Sequence, residues 1–577
     1  MHRITSADAL SSTAAASAVA TAASDRILPS TVPESPEHAE DCEQGDQDAW
    51  DDVPLLQPSR KSKHTFNLSA LNPAQLNDHH TSTAWREAIA SLRLAAPVTV
   101  QAISQFAHIL VIMSAVGHIG VDELAAVAVG WTWLQWFNLV RSFCFGLSGA
   151  YDTFGSQAFG AGNKVMVLSW AITAIFALLL VNIPVSVGMW YAGDAARVFF
   201  QQDANVCQKT ATFCRFMIPG LFPWSLVTIL MKFLQVQGQM WAPAICTVAA
   251  IMVHVPGTLL LVHYLGFAGA GWAVVVMRTA HLSFTIVYLL TLGRRYSRLD
   301  QPDPFEPRQE GDEEKGSIRQ QGAPLLQPQK TRLWAFLGLG IPGGLASSVQ
   351  SAAYEVTTAM AGVLGTIQID AHTTMLSVSD ILFTFLGYGF GVGCTIRVGQ
   401  LLGSQRPAQA KLAASVTMGL GFSGACVVGI NMYLLSNTLG RTFTDDSQVL
   451  QTVNRLAPLL ALYSAFNGSG SVLAGALKGM GRQSQLMWVG IAGFWFCGVP
   501  LGYTLAFPTH FGLSGLWLGS LTGALIVFTA NMMMLMRVDW SRRQKEQLRS
   551  RSSGRCDESA ADTQQIQLLI ANTRQLR

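Results

Sequence analysis

From Ala88 onward the chain alternates apolar runs of about 20–30 residues with short polar breaks. Each run reaches the roughly 20 residues that an α-helix needs to cross the hydrocarbon of a bilayer. Lipid offers no water to unpaired N–H and C=O groups, so a run of this length satisfies its backbone internally, as a helix. The runs place helices near 88–116, 124–152, 165–191, 212–235, 241–264 and 268–293. After a charged stretch they resume near 333–363, 371–396, 410–436, 450–477, 485–507 and 512–536. The pattern predicts an all-α integral membrane protein with twelve transmembrane helices in two pseudo-symmetric six-helix lobes. Composition agrees, since only 13% of the 577 residues are charged, against about 25% in soluble domains.

The polar segments divide the chain. Residues 1–84 read as a disordered cytosolic tail, Ala- and Ser-rich at first and then carrying nine acidic residues between Glu34 and Asp52; such composition cannot bury a core. An N-lobe follows at 85–293, a cytosolic linker at 294–330, a C-lobe at 331–538 and a cytosolic tail at 539–577. Lysine and arginine placement orients the bundle. Connections that are cytosolic with the N-terminus inside carry Arg294, Arg295, Arg298, Lys330, Arg332, Arg406, Lys411 and Arg482, and the C-terminal tail adds Arg542, Arg543, Lys545, Arg549 and Arg551. The opposite connections carry Arg197, Lys209 and Arg441. Both termini are therefore expected in the cytosol. Met1–Ala23 contains Asp8 and no compact apolar core, so no cleaved signal is expected there. Asp51-Asp-Val-Pro-Leu55-Leu56 fits an acidic dileucine for a sorting adaptor, pointing to a vacuolar membrane, with the plasma membrane as the alternative. The sequon at Asn67-Leu-Ser69 lies on the cytosolic side and would go unused.

Charged groups inside the apolar runs are the functional candidates. A carboxylate at mid-membrane costs about 2.5–3.5 kcal/mol on insertion scales. Glu355 and Asp380 both lie within spanning runs, and two such acids can take up and release a proton. Asp370 falls in the break between their helices and is given no role. Arg141 is deep in the second helix and can face a carboxylate or an anionic substrate, whereas Lys232 and Arg278 read as snorkelling or cavity-facing. His108, His254 and His281 can relay protons but read first as packing residues. Cys207 and Cys214 are near enough in sequence to suggest a disulfide. No Cys/His cluster has metal-ligand spacing, and neither a metal nor a cofactor is expected. Gly338-Leu-Gly-Ile-Pro-Gly343 satisfies GxGxxG inside an apolar helix, where no strand precedes it. Walker A, HExxH and GxSxG sequences are absent, so no catalytic residues are assigned and the chain is not read as an enzyme.

The halves repeat. Leu234-Gln-Val-Gln-Gly238-Gln aligns with Leu477-Lys-Gly-Met-Gly481-Arg, 243 residues on, and the same offset carries Gln157 and Gly160 onto Gln400 and Gly403. Gly266-Phe-Ala-Gly269 pairs with Gly512-Leu-Ser-Gly515, and Pro97 with Pro342. Six helices per half make a parallel repeat about an axis along the membrane normal, with substrate bound between lobes that rock against each other.

Several motifs resemble the multidrug and toxic compound extrusion (MATE) family, in its eukaryotic form. They are Gly117-His-Ile-Gly-Val-Asp-Glu-Leu-Ala125, Gly149-Ala-Tyr-Asp-Thr-Phe-Gly-Ser-Gln-Ala-Phe-Gly160, Ala353-Tyr-Glu355, Ile396-Arg-Val-Gly-Gln-Leu-Leu-Gly403 and Gly475-Ala-Leu-Lys-Gly-Met-Gly481. The likeness spans about residues 85–538. It implies a secondary antiporter exporting small organic compounds, often cationic, against a proton or sodium gradient. Glu355 falls on the family's acidic position in the seventh helix. In the eighth, Ser377 occupies the usual glutamate position and Asp380 follows one turn later; in the tenth, Asn467 stands where an acid is common. The first helix, Ala95–Gly117, carries no acid, which favours protons over sodium. Tyr354, Asn182, Asn431, Asn467, Arg141 and Trp131 are candidate cavity contacts. Asp152, Gln157, Arg397 and Gln400 are read as lobe-locking groups at the cytosolic helix ends. The expected partners are a small organic substrate, protons and membrane lipid, with no nucleic acid and a monomeric assembly. A lipid-linked sugar flippase of the same superfamily and a non-transporting scaffold are the alternatives.

Overall fold

The computed structural model describes residues 73–136, 138–199, 201–293, 329–382, 387–441 and 446–540, and they contain no strand. The N-lobe comprises α1 (Pro73–Gly117), α2 (Val121–Trp136), α3 (Asn138–Gly160), α4 (Lys164–Trp190), α5 (Ala192–Phe199), α6 (Ala204–Met217), α7 (Leu221–Val236), α8 (Trp241–Leu265) and α9 (Ala268–Tyr288). The C-lobe comprises α10 (Gln329–Leu364), α11 (Thr366–Leu382), α12 (Gly389–Gly403), α13 (Pro407–Leu434), α14 (Ser436–Arg441), α15 (Ser447–Gly479), α16 (Gln483–Gly490), α17 (Val499–Ala506) and α18 (Leu513–Met536). The pairs α2–α3, α6–α7, α11–α12 and α16–α17 each form one column, and α5 and α14 are short connectors, so the fold is twelve helical columns in two lobes. Eight columns are long and apolar enough to cross a membrane by length and composition. The other four (α1, α2–α3, α10 and α11–α12) line the contact between lobes.

Several helices outrun their apolar stretches. α1 begins at Pro73 rather than near 88, the second column continues to Gly160 rather than 152, and the fourth starts at Ala204 rather than 212. Hydropathy finds only the part inside hydrocarbon, whereas a helix continues while one face has something to pack against. On α6 that face is Cys207, Thr210, Phe213, Cys214 and Met217. Both cysteines therefore sit two turns apart on one helix as free thiols, which corrects the suggested disulfide. On α4 the opposite face (Val165, Leu168, Ile172, Phe176, Leu180 and Ile183) is exposed and apolar, as a lipid-facing stripe requires. The dileucine at Asp51, Leu55 and Leu56, the sequon, most of the linker and the residues after 540 lie outside the described residues.

The repeat is visible in backbone geometry. Gly238 and Gly481 close their helices at φ +79° and +78°, a left-handed conformation in which a Cβ is strained. In both turns the same pair of backbone bonds forms: Gly238 N to Gln235 O (2.9 Å) with Gln239 N to Leu234 O (3.0 Å), and Gly481 N to Lys478 O (2.8 Å) with Arg482 N to Leu477 O (3.0 Å). Gly266 and Gly512, at φ +59° and +57°, mark a second matched turn.

The lobes meet along a seam at one end of the bundle. α3 packs on α10 and α12, and α12 packs on α1 and α3. Gly160 lies so close to Gln400 that a Cβ there would strike its carbonyl, and Gly403 stands in the reciprocal relation to Gln157. The mirrored pair places the pseudo-twofold axis between α3 and α12. Two apolar cores cross the seam here, one joining Leu147 and Tyr151 to Phe336 and Ile396, the other joining Ala95 to Val398 and Leu473. Toward the opposite ends of the helices each lobe keeps its own core, Ile112–Val127–Phe213–Met217 in one and Met375–Val453–Leu460–Trp517 in the other. The lobes are in contact at the Gly160–Gly403 end, and toward the other end their cores are separate among the described residues.

Substituting either seam glycine tests this arrangement. Gly403→Val forces α12 off the Gln157 carbonyl, and overpacking of this kind costs about 1–3 kcal/mol. The melting temperature in detergent is expected to fall accordingly, with Gly160→Val giving a matching loss. Unchanged melting in both variants would contradict close approach at the axis.

Candidate functional site

Glu355 owes its position to the face of α10 that carries the seam. Gly340 and Gly344 of that face press against Leu147 and Phe143 of α3, and Ser351 shares a 2.9 Å hydrogen bond with Ser142. Glu355 is one turn further on the same face, beyond the level of Ser142 near the start of α3, and is exposed. It therefore lies on the face of α10 that is turned toward the N-lobe. Asp380 on α11 is also exposed, lies on the same face as Ser377, and is close enough for the charge of Glu355 to act on it.

Behind these acids a hydrogen-bonded network stiffens the C-lobe. Tyr463 Oη donates to Tyr354 Oη (2.8 Å), as does Gln350 Nε2 (2.8 Å). Asn467 Oδ1 accepts from Gln350 Nε2 (3.3 Å) and from Tyr354 Oη (3.5 Å). The Tyr354 ring packs edge-on against Phe494, with centroids 5.9 Å apart. The Asp380 charge reaches both tyrosines. Tyr354 and Asn467 thus form a shelf behind the acids, tying α10 to α15.

Two of the other expected cavity contacts, Asn182 and Asn431, are not gathered there. Asn182 is buried inside the N-lobe, where its amide donates to Leu221 O (3.2 Å) and Ser225 Oγ (2.9 Å). Asn431 is exposed on α13 and donates to Val427 O (2.8 Å) of its own helix. The side chains of Trp131 and Arg141 lie outside the described residues. His254 bonds the His108 carbonyl (3.2 Å) and Thr258 (3.2 Å), and His281 bonds Thr247 (3.1 Å), so these rings are engaged in packing. Among the described residues no group of three or more His, Cys, Asp or Glu is placed to hold a metal.

The four helix-end groups do converge, at the closed end. Gln157 Nε2 donates to Gly479 O (2.9 Å), and its repeat partner Gln400 Nε2 donates to Val236 O (2.8 Å). Val236 and Gly479 are themselves 243 residues apart, so the two bonds are images of one another. Thr153 Oγ1 donates to Lys478 O (2.7 Å) and accepts from Gln483 Nε2 (2.9 Å). Arg397 grips Glu87 with two nitrogens, Nη2 to Oε1 at 2.8 Å and Nε to Oε2 at 3.3 Å, both side chains being about nine-tenths buried. Asp152 pairs with Lys232 through Oδ2. The expected snorkelling or cavity-facing position of Lys232 is therefore corrected, because its ammonium is enclosed with a carboxylate. Glu87 and Lys478 were missed. Glu87 falls one residue before the apolar run that marks the first helix, and Lys478 sits at a helix end where a solvated cation is ordinary.

The family model MatE matches residues 97–260 and, a second time, 342–504. The chain belongs to the MATE family. The two matches fall on the two lobes, so this MATE transporter carries its repeat at the level of the family model as well as in the seam. Protein DETOXIFICATION 8 of Arabidopsis thaliana is 27% identical, over 75% of this chain and 84% of that protein. Multidrug and toxin extrusion protein 2 of Oryctolagus cuniculus is 27% identical, over 79% and 72%. The crystal structure of the eukaryotic MATE transporter AtDTX14 superposes with a TM-score of 0.70 at 23% identity, covering 80% of this chain and 98% of that one.

Within this MATE fold the Glu87–Arg397 pair is an enclosed bidentate contact between lobes. Glu87→Gln removes one charge of a buried pair, a loss of about 3–5 kcal/mol. The melting temperature in detergent should fall clearly, and Glu87→Asp should recover part of it. Equal melting of Glu87→Gln and wild type would show that the pair contributes nothing to closure.

Proposed function

We propose that the chain is a proton-coupled antiporter that exports small organic compounds such as drugs, toxins or secondary metabolites, with Glu355 and Asp380 as its coupling acids. The observation that carries this reading is the placement of Glu355, exposed, on the face of α10 that meets the N-lobe, with its charge acting on the exposed Asp380. The names of the relatives, which speak of detoxification and of multidrug and toxin extrusion, support the substrate class. The acid-free span Ala95–Gly117 supports protons as the driving ion.

Lysine and arginine placement makes the closed end cytosolic and both termini cytosolic, with lobes at 85–293 and 331–538 joined by a cytosolic linker. In this conformation the acids communicate with the outer compartment, the vacuolar lumen or the exterior. Protons entering there neutralise the pair and weaken its hold on a bound substrate, which leaves. The protonated carrier then favours the opposite packing, opens inward, loses its protons and rebinds substrate. Exchange requires loaded and protonated forms to prefer opposite packings by several kcal/mol, about 5.5 for a near-complete switch. The unit of function is a monomer in the bilayer, with no cofactor and no nucleic-acid partner. Few basic residues (Arg197, Lys209 and Arg441) flank the outer side, which disfavours a flippase for lipid-linked sugars.

Efflux of a dye panel from vesicles under an imposed proton gradient tests the assignment. Glu355→Gln is expected to abolish gradient-driven transport, and Asp380→Asn to reduce it at least about tenfold, with both proteins still folded. Gradient-dependent transport retained in both variants rejects the coupling site.

A further inference from the structure

Beneath the seam lies a charge cluster that the proton cycle does not use. Asp152 and Lys232 are only 5% and 6% exposed. Lys232 holds Asp152 Oδ2, while Asp152 Oδ1 is enclosed and has no hydrogen-bond partner. A second cation arrives from the other lobe. Thr153, next in chain to Asp152, clamps the Lys478 carbonyl at 2.7 Å, which brings this half-buried C-lobe lysine beside the Asp152–Lys232 pair. An aromatic ring from each lobe covers the group. Phe145 of the N-lobe sits 5.7 Å from Lys232 Nζ and 5.6 Å from the ring of Tyr388 of the C-lobe.

Within the N-lobe alone, Asp152 and Lys232 cancel. Closing the seam brings the half-buried Lys478 against the enclosed Asp152–Lys232 pair, giving two ammonium groups and one carboxylate where like charges repel more than they do in bulk water. The geometry points to a shared counter-ion: we propose that Asp152 is a positioning residue whose negative charge lets the cytosolic end shut over Lys232 and Lys478 together. Asp152 touches neither substrate nor the coupling acids; it sets the balance between the closed and open seam. Opening carries Lys478 away with the C-lobe and leaves a neutral pair behind. The Glu87–Arg397 pair is neutral in itself and does not alter this count. The inference does not depend on which ion drives transport.

The sign is testable without a gradient or a substrate. Spin labels on Ala161→Cys and Ala408→Cys, exposed residues of opposite lobes at the closed end, report the seam distance in nanodiscs, in a background cleared of reactive native cysteines. Asp152→Asn leaves the two lysines facing each other and should raise the open-to-closed ratio by about tenfold or more. Asp152→Glu keeps the charge and should stay closed. Adding Lys478→Met to Asp152→Asn removes the repulsion and should return the population toward closed, which a merely structural role for Asp152 would not produce. Recovery of folded Asp152→Asn/Lys478→Met but not of Asp152→Asn alone carries the same meaning. A closed Asp152→Asn, a double variant as open as the single, or equal loss of both proteins overturns the proposal.

Discussion

The molecule depends on a contact that two halves of one chain make across their own symmetry axis. Gln157 reaches the last carbonyl of α15, and Gln400 reaches the last carbonyl of α7. Each satisfies an acceptor that a helix end leaves open, while Gly160 and Gly403 remove the side chains that would hold the backbones apart. An isologous contact of this kind doubles every favourable interaction it contains. It also seats the two lobes in one register.

Function enters where the symmetry is broken. Positions related by the 243-residue repeat carry the same glutamines and glycines but different charges: Asp152 corresponds to Thr395, Arg397 to Phe154 and Lys478 to Gln235. The backbone scaffold of the seam is shared by both lobes, and its electrostatics are specific to each. Glu355 and Asp380 likewise belong to the C-lobe, and α1 supplies no acid in the corresponding membrane stretch. A symmetric frame gives two equivalent packings in principle. In the proposed mechanism it is the asymmetric charges that would let ligand and ion favour one of them.

Much of this was legible in the chain. Apolar run length gave the twelve columns, because backbone hydrogen bonding in lipid admits few alternatives, and the repeated glycines and glutamines marked the seam. Element ends were less legible, since hydropathy is blind to helix outside hydrocarbon; that is why Glu87, just before the first run, was overlooked. The partner of a buried charge was not legible at all. Lys232 alone looks like a snorkelling lysine, and only the crossing of α3 with α7 shows that Asp152 meets it. Asn182 was misjudged for the same reason, as a polar residue in a membrane helix gives no sign of whether it faces a cavity or a neighbouring carbonyl.

In the proposed cycle the seam opens and closes, and such a seam can be neither too strong nor wholly apolar. An apolar seam would expose hydrocarbon to water on each opening, at about 25 cal/mol for every Å². Hydrogen bonds behave differently. Those of Thr153, Gln157, Gln400 and Gln483 exchange protein acceptors for water when the lobes part, so the net cost is about 0.5–1.5 kcal/mol apiece, although each is directional enough to fix the register when closed. Small residues at the axis keep the apolar area per contact low. Buried charge then serves as the adjustable component, because adding or removing one unit of it moves the balance by more than any of these bonds. Beside the two apolar cores that cross it, the seam carries glycines, directional hydrogen bonds and a few enclosed ions. Under the proposed coupling these are the parts through which a change of charge could shift the contact between the lobes.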